Sequence, residues 1–207
     1  MQGILMKADM LRATVEGRKT NTRRAEASLR EINKEPNIWA CTETLGREFC
    51  FYNPLTLRNI RIKPRYHVGE TVYIKEAWQV DKKWDNTKPS DIPHGESVYY
   101  PFGGDPEDKI PAPYWLGKLR SPLFMPAWAA RHFILIEAVR AERLQQIGQT
   151  DISLEGIKMR RLQPNEDYYH HLTVNRDSFA HLWDSINPKY PFVTNPWVWR
   201  YQFRLER

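Results

Sequence analysis

Cysteine is scarce in this chain of 207 residues: only Cys41 and Cys50 are present. Two thiols are too few for a disulfide-stapled secreted scaffold, and their spacing does not suit a zinc knuckle. They flank Leu45-Gly46-Arg47, as residues facing one another across a hairpin do. Long apolar runs are missing too. No stretch approaches the ~20 residues that span a bilayer, and Met1 is not followed by a charged and apolar leader. The expectation is a soluble, cytoplasmic protein with no membrane partner. Glycine-rich phosphate loops of the dinucleotide or P-loop kind are absent, so no cofactor is implied. The one dense histidine feature, His170-His171, puts adjacent side chains ~100° apart on a helix, a poor chelate, and no metal is expected.

What is present is charge and aromatic surface. Lys and Arg number 31 against 25 Asp and Glu, for a net charge of +6. That excess favours a polyanionic partner such as RNA. The sequence carries 8 Trp and 10 Tyr. Most of these suit a core, but exposed ones would stack on unpaired bases at about 1 to 3 kcal/mol each. Tyr99, Tyr100 and Trp115 are the candidates, because they lie in an irregular, proline-bearing stretch near the Phe102-Gly103-Gly104-Asp105 turn. No composition shift marks a second domain, so residues 1–207 read as one. Oligomeric state is not legible.

Along the chain, Gly3 to Lys7 reads as a strand. Asp9 is placed to cap a helix that Gly17 stops. Arg18-Lys19-Thr20-Asn21-Thr22-Arg23-Arg24 follows, polar throughout and β-permissive, as an exposed working edge would be. Segments at about 25–64 and 81–118 alternate polar clusters with short β-like pieces, among them Phe49 to Tyr52 and Asn59 to Ile62. Thr71 to Trp78 and His132 to Val139 read as strands. A short helix is expected at Met125 to Arg131, another capped by Thr150 and ended by Gly156, and a long one over Tyr168 to Ile186. Trp197, Trp199, Tyr201, Phe203 and Leu205 alternate with Val198, Arg200, Gln202, Arg204 and Glu206, the period of two of a strand with one apolar face. Strands broken by short helices predict an α+β fold, a small mixed barrel rather than a parallel α/β sheet.

Gly17-Arg18-Lys19-Thr20-Asn21-Thr22-Arg23-Arg24 resembles the G-R-K-T-x-T-x-R signature of the ASCH family. Val68-Gly69-Glu70, Met125-Pro126-x-Trp128, Leu154-Glu155-Gly156, Leu182 to Asn187 and Asn195 to Trp199 follow in the order of the longer phage and prophage members. The resemblance implies a PUA-like mixed β-barrel with short helices, in which 25–64 and 81–118 are insertions. It also implies RNA or a modified nucleoside as partner. Small members similar at these motifs are N(4)-acetylcytidine amidohydrolases that use the motif lysine, the second motif threonine and a downstream glutamate. Carried onto this sequence, those residues are Lys19, Thr22 and Glu155. Other ASCH proteins resemble these at the fold level but act on RNA strands as nucleases, and fold likeness does not choose between the chemistries; an RNA-binding module without turnover is the further alternative for this chain.

Amide hydrolysis needs a nucleophile, an acceptor for its proton and a cation or donor for the oxyanion. Thr22, Lys19 or Glu155, and Arg24 supply those groups. Lysine as a base needs its pKa, ~10.4 in the free side chain, to fall by roughly 3 through burial or neighbouring cations. Arg18, Arg23 and Arg24 act in that direction and also read as nucleic-acid contacts; Glu155 opposes it. Lys19 and Thr22 are three apart, which on an unbroken strand sends them to opposite faces. The bland alternative is a solvated basic edge with Glu155 as a helix-terminal carboxylate.

Overall fold

The computed structural model describes residues 1–101, 113–159, 162, 164 and 167–206, apart from the side chains of residues 43, 45 and 169. In chain order the regular elements are β1 (Gly3–Leu5), α1 (Ala8–Val15), β2 (Asn21–Arg24), β3 (Ala40–Leu45), β4 (Glu48–Asn53), β5 (Arg58–Ile62), β6 (Thr71–Lys75), β7 (Phe133–Arg143), α2 (Gln149–Leu154), α3 (Tyr168–Ile186) and β8 (Trp197–Glu206). Single 3-10 turns fill many of the connections. The architecture is α+β with mixed pairing, since β1 and β6 run parallel while the other registered pairs are antiparallel. The Phe102 to Asp105 turn lies outside the described residues.

The chain forms two compact units, each drawn from separate stretches. The first comprises Met1–Gly17, Thr71–Leu135 and Leu205–Arg207, and the second Arg18–Glu70 and Ile136–Arg204. The segment 81–118 falls in the first unit and 25–64 in the second.

In the first unit β1 pairs with β6 in register Gly3↔Tyr73, and β6 pairs with the start of β7. Gly3 is suited to this position because a Cβ there would lie 2.6 Å from the Tyr73 ring and the Lys75 side chain. The core gathers around Trp78, Val80, Ile92, Met125 and Ala129, with Trp84, Tyr100 and Trp128 packed against it. Residues 78–81 are tied to the following segment by bridges Trp78↔Arg120, Gln79↔Tyr99 and Asp81↔Leu116.

In the second unit β8 lies between β7 and β2. The alternation read in Trp197 to Leu205 is a strand, with Trp197, Trp199, Tyr201 and Phe203 buried. The meander β3-β4-β5 supplies Phe49 and Phe51, whose rings meet Trp199 and Trp197 edge-on at 4.8 and 5.2 Å. A second cluster, Leu144, Ile147, Ile152, Phe179, Trp183 and Val198, packs α2 and α3 onto the unit. The two cysteines lie on β3 and β4 one register step apart, where a bulge intervenes, and both are free thiols.

Two capping expectations are corrected. The N-cap of α1 is Lys7, without a side-chain bond, and Asp9 sits inside the first turn, where its charge meets the positive end of the helix. The N-cap of α2 is Gly148, which leaves Thr150 within the helix. Both misses arise because an Asp or Thr is equally at home in the first turn. The cap of α3 is Asp167, whose carboxylate accepts from the His170 N–H at 2.9 Å. Among the described residues no helix is long and apolar enough to cross a membrane.

Candidate functional site

The basic stretch is a buried strand and not an exposed edge: Asn21, Thr22 and Arg23 are all buried. It is covered because the end of α2 lies along it. Lys19 and Glu155 form an antiparallel bridge, and the Thr20 N–H donates to the Leu154 carbonyl at 2.9 Å. Gly156, at φ 86, turns the chain directly after Glu155, a left-handed conformation that glycine adopts without strain.

Period two along β2 sends Asn21 and Arg23 to one face and Thr22 and Arg24 to the other. The Arg23 guanidinium is fully enclosed by carboxylates. Its Nε donates to Glu142 at 2.6 Å, one Nη to Asp151 at 2.9 Å and the other to Glu155 at 3.0 Å. Arg200, opposite Arg23 on β8, donates to the other oxygen of Asp151 at 2.8 Å. Lys19 completes the cluster: Nζ donates to Glu155 Oε2 at 2.8 Å and to the carbonyls of Glu155 and Asn21 at 2.9 and 2.7 Å. All three ammonium protons have acceptors. Three cations face three carboxylates, and this balance is what makes burying them tolerable.

Burial pulls the Lys19 amine below its ordinary value, against the upward pull of Glu155, with Arg24 and Arg23 adding to the depression. Burial alone would lower Arg23 as well, but Glu155, Glu142 and Asp151 outweigh it and raise that group.

Thr22 stands across from Tyr201 on the other face and is buried. No hydrogen bond joins it to Lys19 or Glu155, nor does its hydroxyl bond to any other described residue. Because Lys19 Nζ is bonded to the Asn21 carbonyl, the ammonium sits against the main chain of β2 rather than far out over the Arg23 face. On the Thr22 face Tyr201 donates to Glu26 at 2.8 Å and stacks edge-on with Tyr66 at 5.2 Å. Burial lowers Arg24, which lies half-buried among Tyr66, Glu155, Glu26 and Tyr201.

The structure therefore brings Lys19, Arg23 and Glu155 into direct contact and leaves Thr22 out of that hydrogen-bonded set. Arg23 is committed inward, and a phosphate would have to displace carboxylates to reach it. Arg18 is half-buried, with its guanidinium on the Gly156 carbonyl at 3.3 Å. Tyr99, Tyr100 and Trp115 belong to the first unit and are half-buried. Tyr99 is held in its bridge to Gln79, and the Trp115 carbonyl accepts from Lys82 at 2.9 Å. Tyr100 has one face under the Arg131 guanidinium at 4.2 Å and its hydroxyl on the Ala129 carbonyl at 2.6 Å, which ties it to the core. Sequence reasoning missed Glu142, Asp151 and Arg200. The polar side of the β8 alternation hinted at Arg200 alone, and Glu142 and Asp151 lie 119 and 128 positions from Arg23 on other elements. Among the described residues no group of three or more His, Cys, Asp or Glu is placed to hold a metal ion.

Compared with known families, characterised proteins and solved structures, the chain gives no match.

Proposed function

We propose that this chain is an ASCH-type protein of PUA-like fold that hydrolyses the amide of an N-acylated nucleoside of the N(4)-acetylcytidine kind. The observation that carries this reading is the buried contact between Lys19 and Glu155, 2.8 Å apart across 136 positions of sequence. These are two of the three residues that the family motif selects. The third, Thr22, offers a buried hydroxyl three residues along the same stretch.

In the proposed reaction Glu155 takes a proton from Lys19 across their hydrogen bond. The neutral amine, favoured by burial, then accepts the Thr22 hydroxyl proton as Oγ1 attacks the acyl carbon, a step for which the two side chains, not bonded to one another in this structure, must come within hydrogen-bond reach. Arg24 stabilises the oxyanion. Collapse breaks the C–N bond, Lys19 returns the proton to the departing amino nitrogen, and the nucleoside leaves. Water then attacks the acyl-threonine ester, giving a proton to Lys19; collapse breaks the C–Oγ1 bond, Lys19 passes that proton to Thr22 Oγ1, and acetic acid leaves and ionises to acetate. The enclosure of Arg23 by three carboxylates weighs towards this reading and away from a simple RNA-binding strip.

The test is turnover of N(4)-acetylcytidine by the full chain, by Thr22→Ala, by Glu155→Gln and by Lys19→Met, with thermal melts in parallel. Thr22→Ala is the cleanest variant, because the threonine holds no ion pair. It should abolish turnover and leave melting close to wild type. Full turnover in a folded Thr22→Ala variant refutes the mechanism. No turnover by wild type, with saturable binding of single-stranded RNA, transfers the assignment to RNA binding.

A further inference from the structure

The first unit holds a buried cation with no counter-ion among the described residues. Arg120 is 7 % exposed, and its guanidinium lies over the Trp78 ring at 5.4 Å because Trp78 and Arg120 are bridge partners. Two nitrogens are held by main-chain carbonyls, of Thr87 at 3.1 Å and of Trp84. Among the described residues no carboxylate pairs with it. The carboxylate of Asp85 is taken by the Lys118 N–H at 2.8 Å. Its Nε–H is buried and has no acceptor among the described residues.

The neighbours repeat the pattern. Trp78, Trp84 and Trp128 each bury an indole N–H that has no hydrogen-bond partner among the described residues. Trp84 and Trp128 pack on the same core as Trp78, and Trp128 meets Trp78 edge-on at 6.0 Å. Buried donors are ordinarily bonded, because a donor taken out of water without an acceptor loses its hydration with nothing in return. Here four lie in one cluster, all donors, one of them on a cation. The missing partner is therefore an acceptor and, given Arg120, an anionic one. The rings of Trp84 and Trp128 are only partly buried, so the cluster reaches the surface at these two side chains, although their N–H atoms are themselves covered.

We propose that the Arg120, Trp84 and Trp128 cluster binds a compact oxyanion, a carboxylate or phosphate group, through the guanidinium and indole N–H donors. The guanidinium, clamped by two carbonyls and the Trp78 face, is preorganised, and the indoles supply neutral donors that need no further charge compensation. The cluster lies wholly in the first unit and does not depend on the amidohydrolase reading.

The experiment is titration of the full chain with inorganic phosphate and, separately, with acetate, at ionic strength held constant with chloride. The indole N–H resonances are followed by NMR and assigned through Trp84→Phe and Trp128→Phe. The expected result is a saturable shift of the Trp84 and Trp128 signals, with other indoles outside the cluster still. Response to phosphate alone identifies a phosphate site, and response to acetate alone a carboxylate site. Each Trp→Phe change keeps a ring but removes a donor, and should weaken binding about tenfold, the equivalent of one hydrogen bond. No saturable shift with either anion overturns the proposal and leaves the indoles as N–H donors to neighbouring ring faces. Affinity unchanged in both folded Trp→Phe variants overturns it equally.

Discussion

Arg23 and Arg120 are buried to nearly the same degree, 5 % and 7 % exposed, yet their surroundings are opposite. Arg23 touches three carboxylates, two of which, Glu155 and Asp151, are also engaged by Lys19 and Arg200. Arg120 touches two main-chain carbonyls and an aromatic face. A guanidinium can thus be taken out of water either by charge balance or by dipoles and a π surface. The first solution balances its charge, whereas the second leaves net positive charge. The first is built to hold strands and a helix together, and the second to accept something from outside.

The largest effect should come from breaking the balanced cluster. Arg23→Ala leaves Glu142, Asp151 and Glu155 crowded without their shared partner, and should lower unfolding stability by about 3–5 kcal/mol. A urea denaturation series will show this, and a loss under ~1 kcal/mol would mean the carboxylates relax into water. Arg120→Met should be milder. It strands two carbonyls but also removes an uncompensated buried charge, so a loss of about 1–2 kcal/mol is expected. If the two substitutions cost the same, the contrast between the sites is wrong.

Proton linkage sharpens the same picture on the Thr22 face. Burial, with Glu26 beside it, raises the Tyr201 hydroxyl above its ordinary value of 10.0. The folded state then holds that proton more tightly than the unfolded chain. Its contribution is fully present below pH ~10 and is lost above it, at up to ~1.4 kcal/mol per pH unit. Melting temperature should fall as pH rises beyond 10, and Tyr201→Phe should make that fall shallower. Tyr66 and Tyr100, also raised by burial, keep part of the slope. An identical alkaline decline in Tyr201→Phe would contradict the assignment.

The smallest effect is expected at the surface. Arg204 and Glu137 form a 3.4 Å pair with side chains 63 % and 39 % exposed. Arg204→Ala should leave the urea midpoint within about 0.5 kcal/mol of wild type, since exposed pairs gain little in high dielectric. A cost like that of Arg23→Ala would show that burial is not what separates the two.

Much of the fold was legible wherever one local rule governed the residues. The period of two in Trp197 to Leu205 is β8, the apolar spacing over Tyr168 to Ile186 is α3, and Gly156 ends α2 as a left-handed glycine should. The caps were less legible because several residues near a helix start compete for one role. The candidate stretch was visible as a motif, but its polarity suggested solvent. It is buried because Glu155, 136 positions away, is laid against it by a helix end that no local pattern connects to it.

The sequence by itself determined the class of elements, the apolar face of β8 and the chemical types gathered in Arg18 to Arg24, because backbone preference and side-chain period are local properties. Tertiary structure alone decided which charges meet. Whether an arginine becomes a clamp or an open cation depends on partners brought by other strands and helices. Arg23 found Glu142, Asp151 and Glu155, and Arg120 found no carboxylate among the described residues, though both are arginines on short stretches of β-like chain.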